Sequence, residues 1–96
     1  MPSELRLKLF IAGDSPRARE AAENLARVVR EIADGGVHVE TVDVLENPEA
    51  ADEYRILTTP TVVRDAPGPR RRVTGDLRDT AQVLAALNLF PTNPSP

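Results

Sequence analysis

LRLKLFIAGDSP, residues 5–16, is the stretch from which the rest of the chain is read. Leu5, Leu7, Leu9 and Ile11 alternate with Arg6, Lys8 and Phe10. A period of two puts the first set on one face of a strand and the second on the other. Ala12-Gly13-Asp14-Ser15 breaks the alternation. Pro16 suits the first position of a helix, where its missing N–H removes nothing, and Asp14 or Ser15 offers a capping oxygen. From Pro16 to Asp34 the period changes. Ala18, Ala21, Ala22, Leu25, Val28, Val29 and Ile32 recur at steps of three and four, as one buried helix face requires. The opposite face carries Arg19–Glu23, Glu23–Arg27 and Arg27–Glu31 at pairing distance along a helix. Gly35-Gly36 stops the helix, since glycine accepts a left-handed cap. Val37 to Leu45, VHVETVDVL, is β-branched and mostly alternating, a second strand. Two strands joined by a helix of this length are expected to lie parallel with a right-handed crossover.

Working outward, Asn47-Pro48 opens a short helix to about Leu57, with Ala50, Ala51, Tyr54 and Leu57 three and four apart. Thr61 to Asp65 reads as a third strand and Arg71 to Thr74 as a fourth, with Ala66-Pro67-Gly68-Pro69 as the turn between them. After Gly75-Asp76 a last helix is expected from Leu77 to Leu87, with Leu77, Ala81, Leu84 and Leu87 inward. The order β-α-β-α-β-β-α is that of an α/β, thioredoxin-like fold with helices on both faces of a four-stranded mixed sheet. The expected division is an N-terminal extension over 1–4, one domain over 5–89 and a disordered tail over 90–96, where prolines crowd.

Composition narrows the chemistry. The chain has 96 residues, which suits one domain with a small core. It has no cysteine, no tryptophan, two phenylalanines and one tyrosine, so that core is aliphatic. Without cysteine there is no disulfide, thiol nucleophile, redox pair or thiolate metal site. The net charge of −3 is too mild to imply a nucleic-acid partner. The balance is uneven, with residues 35–57 acidic and residues 58–96 arginine-rich. No leader is legible and no apolar run approaches the roughly 18 residues of a membrane span, so a cytoplasmic protein without a membrane partner is expected.

In this fold the redox motif sits between the first strand and first helix, which here reads Gly13-Asp14-Ser15-Pro16-Arg17. Asp14 and Arg17 stand where the cysteines would be, and neither exchanges disulfides. Thr59-Pro60-Thr61 occupies the position where such folds carry a cis proline, and the layout favours cis at Pro60 over a trans proline that simply starts a strand. Arg70-Arg71-Arg72 lacks interleaved aromatic platforms and reads as a solvated edge or a protein contact rather than a phosphate site. His38 reads as a surface or structural residue. Asp43, Glu46, Asp52 and Glu53 have no spacing that fixes a metal or an acid–base pair, so no metal, cofactor or catalytic residue is expected.

Four segments, taken in order, are more specific: KLFIAG (8–13), VDVLENP (42–48), ILTTPT (56–61) and RRVTGDL (71–77). Together they resemble the KaiB family of circadian clock proteins over about residues 5–89. Two features depart from the family's pattern, the ending Pro91-Thr92-Asn93-Pro94-Ser95-Pro96 and Tyr54 in the second helix.

The resemblance implies a partner-binding regulator rather than an enzyme. It implies slow exchange between a ground state, a homotetramer with a different C-terminal half, and a monomeric thioredoxin-like state that binds a KaiC-type ATPase. It further implies recruitment of KaiA and displacement of a histidine kinase's sensor domain. Pro60, Pro67 and Pro69 lie in the half that would repack, and the family's pivot maps onto Gly75 and Asp76, where Asp76 would cap the last helix. The implied ATPase contacts are Asn47, Ala50, Glu53 and Arg55, while Val39 and Thr41 offer an edge for a further partner by strand addition. The alternative is a sensor or adaptor that docks on a kinase or stress-response partner without switching.

Overall fold

A computed structural model describes residues 5–32 and 36–89. The elements are β1 (Leu5–Ile11), α1 (Pro16–Ile32), β2 (Val37–Asp43), α2 (Pro48–Tyr54), β3 (Thr61–Ala66), β4 (Arg71–Thr74) and α3 (Thr80–Ala86). The strands form one sheet in the order β2-β1-β3-β4. β1 and β2 run parallel from Leu5 opposite Val37 to Ile11 opposite Asp43, as the long helix between them requires. β3 is antiparallel to β1, and β4 to β3, so the sheet is mixed. The fold is thioredoxin-like in its order and layers.

The alternation in β1 sorts the core into two halves. Leu7 and Leu9 face α1 and α3, packing with Ala21, Leu25, Val28, Ile32, Val62, Leu77, Val83, Leu84 and Leu87. Phe10 faces the other way and is wholly buried with Val42, Tyr54 and Val63 under α2. Two of the chain's three aromatics thus meet on the thinner side of the sheet, with ring centroids 5.2 Å apart. Such a tilted pair contributes about 0.5–1.5 kcal/mol beyond its area.

Several boundaries differ from the sequence reading, each for a local reason. β2 ends at Asp43 rather than Leu45, because the Asp43 carbonyl accepts from Glu46 N and Asn47 N and turns the chain. α2 ends at Tyr54, not Leu57. Arg55 takes a left-handed conformation (φ 53°), and Leu57 is 93% exposed rather than inward. α3 starts at Thr80, not Leu77. Leu77 is buried as expected, but with φ 63° it lies in the approach to the helix. Ala81 is exposed and Val83 takes the inward place. On α1, Ala22 is exposed and Asn24 is buried instead, its Nδ2 donating to the Asp76 carbonyl at 2.7 Å. Arg19 pairs with Asp14 at 2.9 Å rather than with Glu23. The expected end of α1 at Asp34, the extension over 1–4 and the tail over 90–96 lie outside the described residues.

Candidate partner-binding surface

The loop between β1 and α1 is built as a helix entry. Ser15 Oγ accepts from Ala18 N at 3.1 Å, which satisfies one of the free amides of the first turn. Gly13 has φ +71°, a conformation that side chains disfavour. Asp43 then ties this loop to the next one. Its Oδ1 accepts from Gly13 N at 2.9 Å and from Leu45 N at 3.0 Å. Asp43, one of the four carboxylates whose spacing fixes no metal or acid–base site, is a brace between two loops. Among the described residues no group of three His, Asp or Glu is placed to hold a metal ion.

The two residues that the sequence reading set in the place of a redox pair have other partners. Asp14 is held by Arg19. Arg17 lines a cleft of about 230 Å³ with Ile11, Ala12, Ser15, Ala18, Thr59 and Pro60. The Thr59–Pro60 bond is cis, as the layout led one to expect, and the bonds before Pro67 and Pro69 are cis as well. The Pro60 carbonyl accepts from Gly75 N at 2.9 Å, which links the start of β3 to the end of β4. Two of the positions assigned to the switch are therefore in contact. Gly75 has φ +120°. Asp76 does not cap α3: Asp79 Oδ1 accepts from Gln82 N at 3.1 Å, whereas Asp76 Oδ1 accepts from Arg78 N at 3.0 Å, two residues on.

The four residues assigned to an ATPase contact lie on or beside α2. Pro48 opens the helix, Asn47 precedes it without a side-chain cap, and Tyr54 anchors it in the core. With one residue buried, the helix leaves Asn47, Glu49, Asp52, Glu53 and Arg55 exposed and Ala50 partly so. Leu45 just before the helix is 70% exposed, and Leu57 just after it 93%. Two large, exposed apolar side chains thus flank the acidic helix in sequence, a feature that the sequence reading missed. The acidic count was visible in the sequence, but the direction of Leu57 was set by the left-handed turn at Arg55.

Beneath α2 the Tyr54 ring is held by cations. Lys8 Nζ lies 4.8 Å and Arg70 Cζ 4.2 Å from its centroid. The hydrogen bond between Lys8 and Tyr54 is the main cause that raises the lysine above its ordinary value. Glu40 and Asp65 add to it, and partial burial opposes it. Arg70 also pairs with Asp65 at 2.8 Å. Arg70 is thus structural on this face, as is Arg72, which donates to the Tyr54 and Arg55 carbonyls, and the triple-arginine run is split between two faces by the strand alternation.

Val39 and Thr41, assigned to strand addition, are exposed on β2, the edge strand. With Leu9, Ala22, Leu25, Ala26 and Val29 they line a mostly apolar groove of about 250 Å³. The two assigned surfaces are therefore separate: one is α2, the other the β2 edge beside α1.

The KaiB domain family matches residues 8–89. The chain is 39% identical over 85 residues to the circadian clock protein KaiB3 of a Synechocystis species, covering 88% of this chain and 83% of the relative. Among solved structures it is similar to the N-terminal domain of SasA from Synechococcus elongatus (TM-score 0.75, 24% identity, 92% and 87% of the two chains). It is also similar to a thioredoxin of Fasciola hepatica (TM-score 0.69, 26% identity, 88% and 79%). The match takes in every strand and helix except the first residues of β1, and it runs over a thioredoxin-like scaffold: this chain belongs to the KaiB family.

Proposed function

We propose that this chain is a non-catalytic clock regulator that binds a KaiC-type ATPase through α2 in the thioredoxin-like state. The observation that carries the reading is the exposed α2 surface, where Asn47, Glu53 and Arg55 are flanked by Leu45 and Leu57 in water. An exposed leucine alone needs no explanation, but two beside one acidic helix make a surface suited to a protein partner. The β2 edge supports a second contact, to a KaiA-type protein or a kinase, by strand addition. Slow exchange with a homotetrameric ground state belongs to the same proposal, with residues 58–89 as the half that repacks and Pro60, Pro67, Pro69, Gly75 and Asp76 as its pivots.

Co-elution with a KaiC-type hexamer after long incubation, in ATP and ADP forms, tests the binding. Glu53→Arg and Leu57→Ser are expected to abolish co-elution while leaving the thermal midpoint within a few degrees. No co-elution of the natural chain in either nucleotide rejects the reading. Amide shifts over 58–89, assigned with the mass measured in the same buffer, test the switching. A single set of peaks in a monomer favours the alternative, an adaptor that docks without changing fold.

A further inference from the structure

Arg64 is the one arginine of β3, and it points into the α1 and α3 side of the sheet, beside Val62 and opposite Leu7. It is 7% exposed. A guanidinium keeps its charge in a protein, so burying it calls for a carboxylate or a full set of acceptors. Arg64 has neither. Among the described residues no carboxylate pairs with it, and its Nε has no partner. Nη2 reaches the Pro69 carbonyl at 3.3 Å and Nη1 the Asn88 carbonyl at 3.5 Å, both long for a charged donor. Its neighbour across the strand pair is another cation, Arg71 on β4. Like charges set opposite each other on one face repel.

We infer that Arg64 is a built-in bias against the packing described, a buried charge left without a counter-ion among the described residues at the junction of β3, β4 and the end of α3. Its two carbonyl partners place the tension. Pro69 lies in the turn between β3 and β4, and Asn88 just beyond α3. Drawing β4 and α3 away from β3 would hydrate the guanidinium and relieve the repulsion from Arg71. The core of β1 and α1 has no part in that relief. The charge therefore makes residues 64–89 the part of the chain that opens most readily, through a residue with no role at either proposed docking surface. The inference concerns this packing alone and stands whether or not a partner binds.

Native-state amide hydrogen exchange of the full chain tests it, since it reads opening of this packing whatever the chain opens to. Arg64→Met keeps the unbranched stem and removes the charge. It is expected to raise protection at Val83, Leu84 and Leu87 at least about tenfold, or about 1.4 kcal/mol. Leu25 and Val28 should gain less. Arg71→Gln should shift the same amides in the same direction by a smaller factor, and Arg64→Lys should give no gain. The opposite reading is that Arg64 clips the C-terminal half in place through its two carbonyls. Lower protection in Arg64→Met, or its failure to fold, would establish that reading and overturn the bias, and unchanged protection in Arg64→Met or lower protection in Arg71→Gln would overturn the bias as well.

Discussion

Arg72 closes the second helix from the far edge of the sheet. Its Nη2 and Nη1 donate to the carbonyls of Tyr54 and Arg55 at 2.6 and 2.9 Å. The last carbonyls of a helix have no partner within it, and a cation there also meets the negative end of its dipole. Ile56 N adds a bond to the Ala51 carbonyl at 2.9 Å across the left-handed residue Arg55. The helix therefore ends at Tyr54 through a residue 18 positions along the chain.

Arg72→Ala is expected to destabilise the fold by about 1–2 kcal/mol, the worth of charged hydrogen bonds at a partly exposed site. Arg72→Lys, with a single head group, should recover less than half of the loss. Urea unfolding followed by circular dichroism measures both. An alanine variant as stable as the natural chain would mean that the capping contributes nothing.

This relationship also shows where sequence reading stops. β1, α1 and the strand pair β3–β4 were legible because their signals are periodic and local. Alternating leucines mark a strand, alanines and leucines at three and four mark a helix, and Pro-Gly-Pro marks a turn. The cis bond at Pro60 was legible because it follows from one residue type at a known place in the layout. What escaped depends on residues far apart in sequence. Asn24 reads as a polar break in an apolar face until Asp76 presents its carbonyl. Arg55 and Leu77 adopt left-handed conformations that no propensity suggests, and each shortens a helix from the span its apolar spacing predicts. Arg64 looks like an ordinary strand arginine, since alternation gives its face but says nothing of whether a carboxylate waits there. The candidate site was legible as a helix and an edge strand. Leu45 and Leu57 became part of it only once the turns around α2 were known.

Tyr54→Phe is expected to lower the Lys8 titration toward its ordinary value, because the hydroxyl that accepts from the lysine is the largest cause of the upward shift. The sign follows for stability. A lysine raised by folding stabilises the folded state while it is protonated, and that contribution fades as pH climbs through the raised value. The natural chain should therefore lead the phenylalanine variant at neutral pH and lose that lead in the alkaline range. An NMR titration of the Lys8 side chain and denaturation at several alkaline pH values check the two halves. An unmoved Lys8 titration would assign the shift to Glu40 and Asp65 instead.

Asp43→Ala should cost about 1–3 kcal/mol, since it leaves the amides of Gly13 and Leu45 without their shared acceptor. Asp43→Asn keeps one oxygen and should cost less. The amide proton shifts of Gly13 and Leu45 are the direct readout, and both should move upfield in the alanine variant. If the binding reading holds, affinity for the ATPase falls as well, because Leu45 loses its support.

Two glycines at neighbouring turns should respond oppositely to the same change. Gly75 has φ +120°, and an added Cβ would meet no atom within 4 Å. A methyl group there is excluded by backbone conformation and not by space. Gly75→Ala should then destabilise by about 1–3 kcal/mol, the cost of holding a side-chain-bearing residue at a disfavoured φ. It should also weaken the bond from Gly75 N to the Pro60 carbonyl. Gly68 has as much room and no positive φ. Gly68→Ala should be neutral or stabilising by up to about 1 kcal/mol, through the narrower freedom of the unfolded chain. Paired urea denaturation of the two variants separates conformation from crowding. Equal losses at both positions would show that the backbone of Gly75 is not what makes glycine necessary there, and a D-alanine at position 75, introduced by chemical ligation, should restore the stability that L-alanine removes.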